Sequence, residues 1–188
     1  MALGLDVPAE LAEGAWIEWR PVRRPYGRHQ QSAAGSEAAK AALAAAGSAE
    51  RNVSRDPDGR PRFPRGFAGS ISHTERLAVA AVVPGAEAVG IDIENAVISP
   101  RVSEFVLRER ERRTLLPPAG RYTPRELFSA KEAAFKALNG IGTLGEFLFW
   151  QIELSQSDDM LIASYGGERV PVWVRSEAGL SLALAIRR

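Results

Sequence analysis

The chain has 188 residues, 24 lysines and arginines against 23 acids, a net charge of +1, no cysteine and 45% hydrophobic residues. A chain of this length buries roughly 70% of its unfolded surface, so a core forms without metal or disulfide staples. The missing cysteine excludes disulfides, thiolate zinc centres and thiol catalysis, and the balanced charge argues against a general nucleic-acid binder.

The N-terminal "MALGLDVPAELAEG" carries acids where a signal peptide would be apolar. The longest apolar runs, "LAVAAVV" and "LALAI", have strand length and fall far short of the roughly 20 residues of a membrane span. The expectation is a soluble, cytoplasmic chain with neither membrane nor nucleic-acid partner. Two arginine-rich stretches, "WRPVRRPYGRHQQ" and "VLRERERR", offer local attraction for phosphates or an acidic partner.

In chain order, "SAAGSEAAKAALAAAG" predicts a helix of small residues closed by Gly47. Prolines and an Asp-Gly pair in "RNVSRDPDGRPRFPRG" predict turns. "RLAVAAVV" and "AVGIDIE" read as neighbouring strands across "PGAE", and "PRVSEFVLRERERRTLL" as one charged helix. "TPRELFSAKEAAFKALNG" predicts a helix with Thr123 as N-cap, Pro124 in its first turn, Glu126 completing a capping box and Gly140 closing it. The runs "FLFWQIEL", "LIASY", "VPVWV" and "LSLALAI" read as strands. Helices and strands alternate without a βαβ rhythm, so the expected class is α+β with mainly antiparallel sheets.

Alternation in "GIDIE" puts Asp92 and Glu94 on one face of a strand, about 7 Å apart. That separation suits gripping one hard cation, or equally acids on a half-exposed strand. Glu132 and Lys136 share a helix face with i,i+4 spacing, with Lys131 beside them. The apolar Phe128 and Phe135 near that face turn it towards the protein. "GSISHT" reads as a small-residue turn whose N–H groups, Ser72 hydroxyl and His73 imidazole form a phosphate cradle. A hydrolytic Ser72–His73–Asp92 triad is disfavoured, because no G-x-S-x-G elbow is present and neighbouring strand residues point to opposite faces.

The segments "RPRFPRGFAGSISHT", "VGIDIE" and "FSAKEAAFKAL", in that order, resemble the three signature blocks of the 4′-phosphopantetheinyl transferases. The likeness is to the type that activates siderophore, peptide and polyketide synthases. It implies two similar α+β halves related by a pseudo-two-fold, residues 1–87 and 88–188, with coenzyme A in the cleft between them. It also implies transfer of the phosphopantetheine arm to a serine of an apo acyl or peptidyl carrier protein, by a protein that is usually monomeric. By this likeness Asp92, Glu94 and Glu132 would hold Mg²⁺, and His73 and Lys131 would contact phosphate oxygens. Glu132 would accept the serine proton and Lys136 would stabilise the leaving phosphate. Arg60 matches a position contacting the 3′-phosphate end of coenzyme A. In the first-helix block Arg28 and Gly35 fit, and by this likeness Arg28 would contact coenzyme A, but Gln31 and Ser36 replace an acid and an arginine; Lys40 lies one turn after Ser36. Two other readings compete: a Mg²⁺-dependent phosphoesterase acting on coenzyme A-like nucleotides, and a non-catalytic module binding coenzyme A or a carrier.

Overall fold

The computed structural model describes residues 5, 7, 13–57, 59–139, 149–158 and 160–188. Its elements in chain order are β1 (Trp16–Pro21), α1 (Arg28–Ala45), β2 (Ser54–Arg55), β3 (Pro61–Arg62), β4 (Phe67–His73), β5 (Leu77–Pro84) and β6 (Ala88–Glu94). There follow α2 (Pro100–Val106), α3 (Glu109–Leu115), α4 (Pro124–Asn139) and a single 3₁₀ turn at Phe149–Gln151. The chain ends in β7 (Glu153–Ser157), β8 (Met160–Tyr165), β9 (Glu168–Glu177) and β10 (Leu180–Arg187). The class is α+β with antiparallel sheets, as expected.

The first half builds a three-stranded sheet, β1-β5-β4, and the second a five-stranded sheet, β6-β10-β9-β8-β7. Each carries one long helix. Ala38, Ala39 and Ala42 of α1, with Leu43, are buried against Ala80 and Val82 of β5. Small side chains let the helix lie close, and a Cβ on Gly35 would come within 2.8 Å of Ile71. On the other sheet, α4 buries Leu127, Ala130, Ala134, Ala137 and Leu138 against Leu161, Val170, Val172 and Ala183. Its start follows the expected capping box: Glu126 N donates to Thr123 Oγ1 at 3.2 Å, and Thr123 N donates to Glu126 Oε2 at 2.7 Å. Gly140 lies outside the described residues.

β5 and β6, read as neighbouring strands, belong to different sheets and share no ladder. It is β4 and β6 that meet, each an edge strand of its own sheet. Ile91 N donates to Ser70 Oγ at 3.1 Å and Ile93 N to Ser72 Oγ at 3.3 Å. Two serine hydroxyls therefore satisfy the free edge of β6, which a backbone ladder would otherwise have to cover. "GSISHT" is accordingly mostly strand, and no turn nest forms there. Below the seam, Ile91 and Ile93 pack with Val79, Ala81, Val83, Leu182 and Leu184 in a core shared by both sheets.

Two further expectations change. The single helix over 100–116 is two helices, because Leu107 is extended and Arg108 N is capped by Glu111 Oε2 at 2.7 Å. In "FLFWQIEL" the strand begins only at Glu153, and residues 147 and 148 lie outside the described set. Phe149 turns its ring onto Phe128 and Phe135, with centroids 5.5 and 6.5 Å apart, and so covers α4 instead of extending the sheet. Among the described residues no helix is long and apolar enough to cross a membrane.

Candidate active site

Gly90 sets the geometry. A Cβ there would fall 1.8 Å from the carbonyl oxygen of Ala133, so only glycine lets α4 rest directly on β6. That contact brings the stripe Ser129, Glu132 and Lys136, spaced three and four residues apart, over the end of β6. Asp92, 6% exposed, is the convergence point. Its Oδ1 accepts from Ser72 Oγ at 2.9 Å and Lys136 Nζ at 2.8 Å, and its Oδ2 accepts from Ser129 Oγ at 2.9 Å. Lys136 Nζ also donates to Ile91 O at 2.9 Å. A buried carboxylate is tolerable because an ammonium and two hydroxyls replace its water.

Glu94 closes β6, and its Oε1 accepts from the backbone N–H groups of Asn95 and Ala96 at 2.8 and 2.7 Å. The half-buried Glu132 has no hydrogen-bonding partner among the described residues. Its carboxyl is held above the ordinary range. Burial raises it most, Lys136 pulls it back, and the charges of Asp92 and Glu94 add to the rise. The three carboxylates thus lie within electrostatic reach of one another, although among the described residues no three metal-binding side chains form a finished chelate. The donor set is all oxygen, carries excess negative charge and includes one carboxylate without a hydrogen-bonding partner among the described residues. It fits Mg²⁺, which binds through one or two carboxylates and takes its other ligands from water and substrate phosphates.

Behind this cluster opens a cleft of about 510 Å³. Arg60, Phe63, Phe67 and Ile71 line it from the first half, and Val89, Phe135 and Lys136 from the second. The expected residues Arg60 and Lys136 therefore face one space. His73 ends β4, and its imidazole is held below its ordinary value. Partial burial of the ring is the main cause, followed by the Lys136 ammonium; Asp92 opposes the shift and Arg55 adds to it. A larger cavity of about 670 Å³ lies at the far edge of the five-stranded sheet, against β7 and β8, and contains none of these groups.

Three expected residues are placed differently. Lys131 is fully buried and faces away from the cleft, its Nζ 2.8 Å from Glu111 Oε2 and 2.9 Å from Val106 O. It sits on the α4 face next to the 129–132–136 stripe, and that face meets the junction of α2 and α3. Its ammonium is spent there and is not available to a phosphate. The Ser72 hydroxyl is committed to β6 and Asp92, so it does not project into the cleft. Arg28 is exposed in the first turn of α1 and does not line the cleft.

Two residues were missed. Ser129 carries a sequence signal, since it lies three and seven residues before Glu132 and Lys136 on one helical stripe. Arg55 is held beside α1, donating to Gly59 O at 2.6 Å and to Ser32 Oγ at 3.1 Å. Its charge reaches His73. Treating "DPDGR" as a hairpin would have revealed it, because Arg55 pairs with Pro61 beside Arg60.

Residues 26–83 match the family model described as the 4′-phosphopantetheinyl transferase N-terminal domain, and residues 88–186 match that of the 4′-phosphopantetheinyl transferase superfamily. Among solved structures the chain is similar to the Thermotoga maritima holo-[acyl-carrier-protein] synthase, with 26% identity and a TM-score of 0.40. The match covers 53% of this chain and 63% of that one. No curated protein matches. With residues 88–186 alone making up more than half of its length, the chain belongs to the 4′-phosphopantetheinyl transferase superfamily.

Proposed function

We propose that the chain transfers the 4′-phosphopantetheine arm of coenzyme A to a serine of an apo acyl or peptidyl carrier protein, in the manner of the transferases that serve peptide, polyketide and siderophore synthases. The observation that carries this reading is the juxtaposition of Glu132, Lys136 and Asp92 on one side with the Arg60-lined cleft behind them. Tandem matches to an N-terminal and a superfamily model within one chain support the two-half type.

In this reading the carrier serine oxygen attacks the phosphorus bearing the pantetheine arm. A new P–O bond forms, and the P–O bond to adenosine 3′,5′-bisphosphate breaks. Glu132 takes the serine proton; its raised pKa and the lack of another partner among the described residues suit a base. Lys136, at the cleft wall, stabilises the negative charge that grows on the departing phosphate. Asp92, Glu94 and Glu132 would hold Mg²⁺, which when bound offsets the pyrophosphate charge. The His73 imidazole, whose pKa burial and the Lys136 charge hold below its ordinary value, donates one ring N–H to a phosphate oxygen. Arg60 and Arg55 supply positive charge for the outer phosphate of the ligand.

The test follows the nucleotide product. Coenzyme A and Mg²⁺ are incubated with the protein, with and without an apo carrier domain, and adenosine 3′,5′-bisphosphate is quantified by chromatography. Release that requires the carrier supports transfer. Carrier-independent cleavage would assign a phosphoesterase, and binding without turnover a non-catalytic module.

A further inference from the structure

The Asp92 carboxylate takes three side-chain donors, and the two buried ones are serines that no family role explains. Ser72 is 7% exposed and Ser129 is fully buried. A carboxylate oxygen has about two acceptor positions. Among the described residues Oδ1 receives both Ser72 Oγ and Lys136 Nζ and is filled, while Oδ2 receives Ser129 Oγ alone and keeps one position open. The direction of the Ser72 bond is fixed as well. Its oxygen already accepts from Ile93 N, so its single O–H is left to donate to Asp92.

We infer that Ser72 and Ser129 are positioning residues that turn Asp92 so that Oδ2 presents its open site to a divalent cation. The inference rests on the proposed metal-dependent reading of the site. Without the two hydroxyls Asp92 is free to rotate onto Lys136 and spend both oxygens on the ammonium. Because Ser72 belongs to β4 and Asp92 to β6, this arrangement also links the seam between the sheets to the orientation of a metal ligand. Ser70 provides an internal control. It makes the same kind of seam bond, to Ile91 N at 3.1 Å, but does not touch Asp92.

The experiment measures Mn²⁺ binding to the full chain by the electron paramagnetic resonance signal of the free ion, with saturating coenzyme A and no carrier. Ser72→Ala and Ser129→Ala are expected to weaken Mn²⁺ roughly 10- to 100-fold, the usual effect of losing an outer-shell partner of a metal ligand. Ser72→Thr, which keeps the hydroxyl, should stay near wild type. Ser70→Ala should lose thermal stability comparable to Ser72→Ala while binding Mn²⁺ as wild type does. Unchanged Mn²⁺ affinity in Ser72→Ala and Ser129→Ala, or an equal loss in Ser70→Ala, overturns the inference and leaves the metal reading standing. Equal affinity in wild type and Asp92→Asn overturns the metal reading, and the inference with it.

Discussion

Lys136 Nζ lies 2.8 Å from Asp92 Oδ1 and 2.9 Å from Ile91 O, so one ammonium bridges a side chain and the backbone of β6 while lining the cleft. Its charge serves the transition state most, when the leaving phosphate departs. Lys136→Ala is therefore expected to lower kcat by more than it weakens coenzyme A binding. Lys136→Arg should restore little, because a planar guanidinium cannot take the place of a compact ammonium between those two oxygens. Steady-state kinetics and calorimetric binding of coenzyme A separate the two effects. A change in KM alone would remove the leaving-group role.

The raised pKa of Glu132 gives a prediction about stability. Between the unfolded and the higher folded value, the native state holds a proton that the unfolded chain has lost. Stability therefore falls as pH rises through that window. As pH rises through that window in metal-free protein, the charge on Glu132 opposes folding, and Glu132→Gln removes that cost. The variant is expected to unfold at a higher urea concentration than wild type in EDTA, with the difference vanishing below about pH 4, where both side chains are neutral. Transfer should be abolished. A Glu132→Gln protein less stable than wild type at neutral pH would contradict the electrostatic account.

The buried Lys131–Glu111 pair joins α4 to the junction of α2 and α3, and Glu111 Oε1 also accepts from Leu154 N of β7 at 2.6 Å. Removing one partner strands a buried charge. Lys131→Met should cost about 3–5 kcal/mol, and adding Glu111→Gln should recover much of that loss. Denaturant titrations of the two proteins check this. The single variant should fail through folding before it fails through coenzyme A affinity. A stable Lys131→Met with weakened coenzyme A binding would return Lys131 to the phosphate.

Arg60 lines the cleft from the β2–β3 hairpin, where Arg60 N donates to Asp56 Oδ1 at 2.8 Å. If it meets the 3′-phosphate, Arg60→Ala should weaken coenzyme A roughly 10- to 100-fold and its 3′-dephospho form much less. Arg55→Ala should act in the same sense, since its guanidinium is held by Gly59 O and Ser32 Oγ beside the hairpin that carries Arg60. Equal losses for both ligands would assign these arginines to the pyrophosphate or the fold.

Local signals in the sequence were reliable where the chemistry is local. The capping box at Thr123, the alternation of "GIDIE" and the i,i+4 pair Glu132–Lys136 all follow from neighbours in the chain. Burial of Lys131 was not legible, because its partner Glu111 lies 20 residues away on a segment that reads as solvated "RERERR". In that segment Glu109 does pair with Arg113 at the surface, while Glu111 turns inwards. The seam was hidden for a related reason. Ser70 and Ser72 look like a polar turn until β6 arrives, and only the tertiary structure shows that their hydroxyls take the place of a backbone ladder. Arg55 needed the hairpin register, which a run of prolines obscured.

In the proposed function these carboxylates and Lys136 move a phosphopantetheine arm from coenzyme A to a protein serine. The most direct measurement is the intact mass of apo carrier domains after incubation with the native chain, coenzyme A and Mg²⁺, with Asp92→Ala run in parallel. A mass gain of one phosphopantetheine per carrier, lost in Asp92→Ala and when the acceptor serine is replaced by alanine, is the predicted result. No gain on any acyl or peptidyl carrier tested, with coenzyme A left intact or merely hydrolysed, would contradict it.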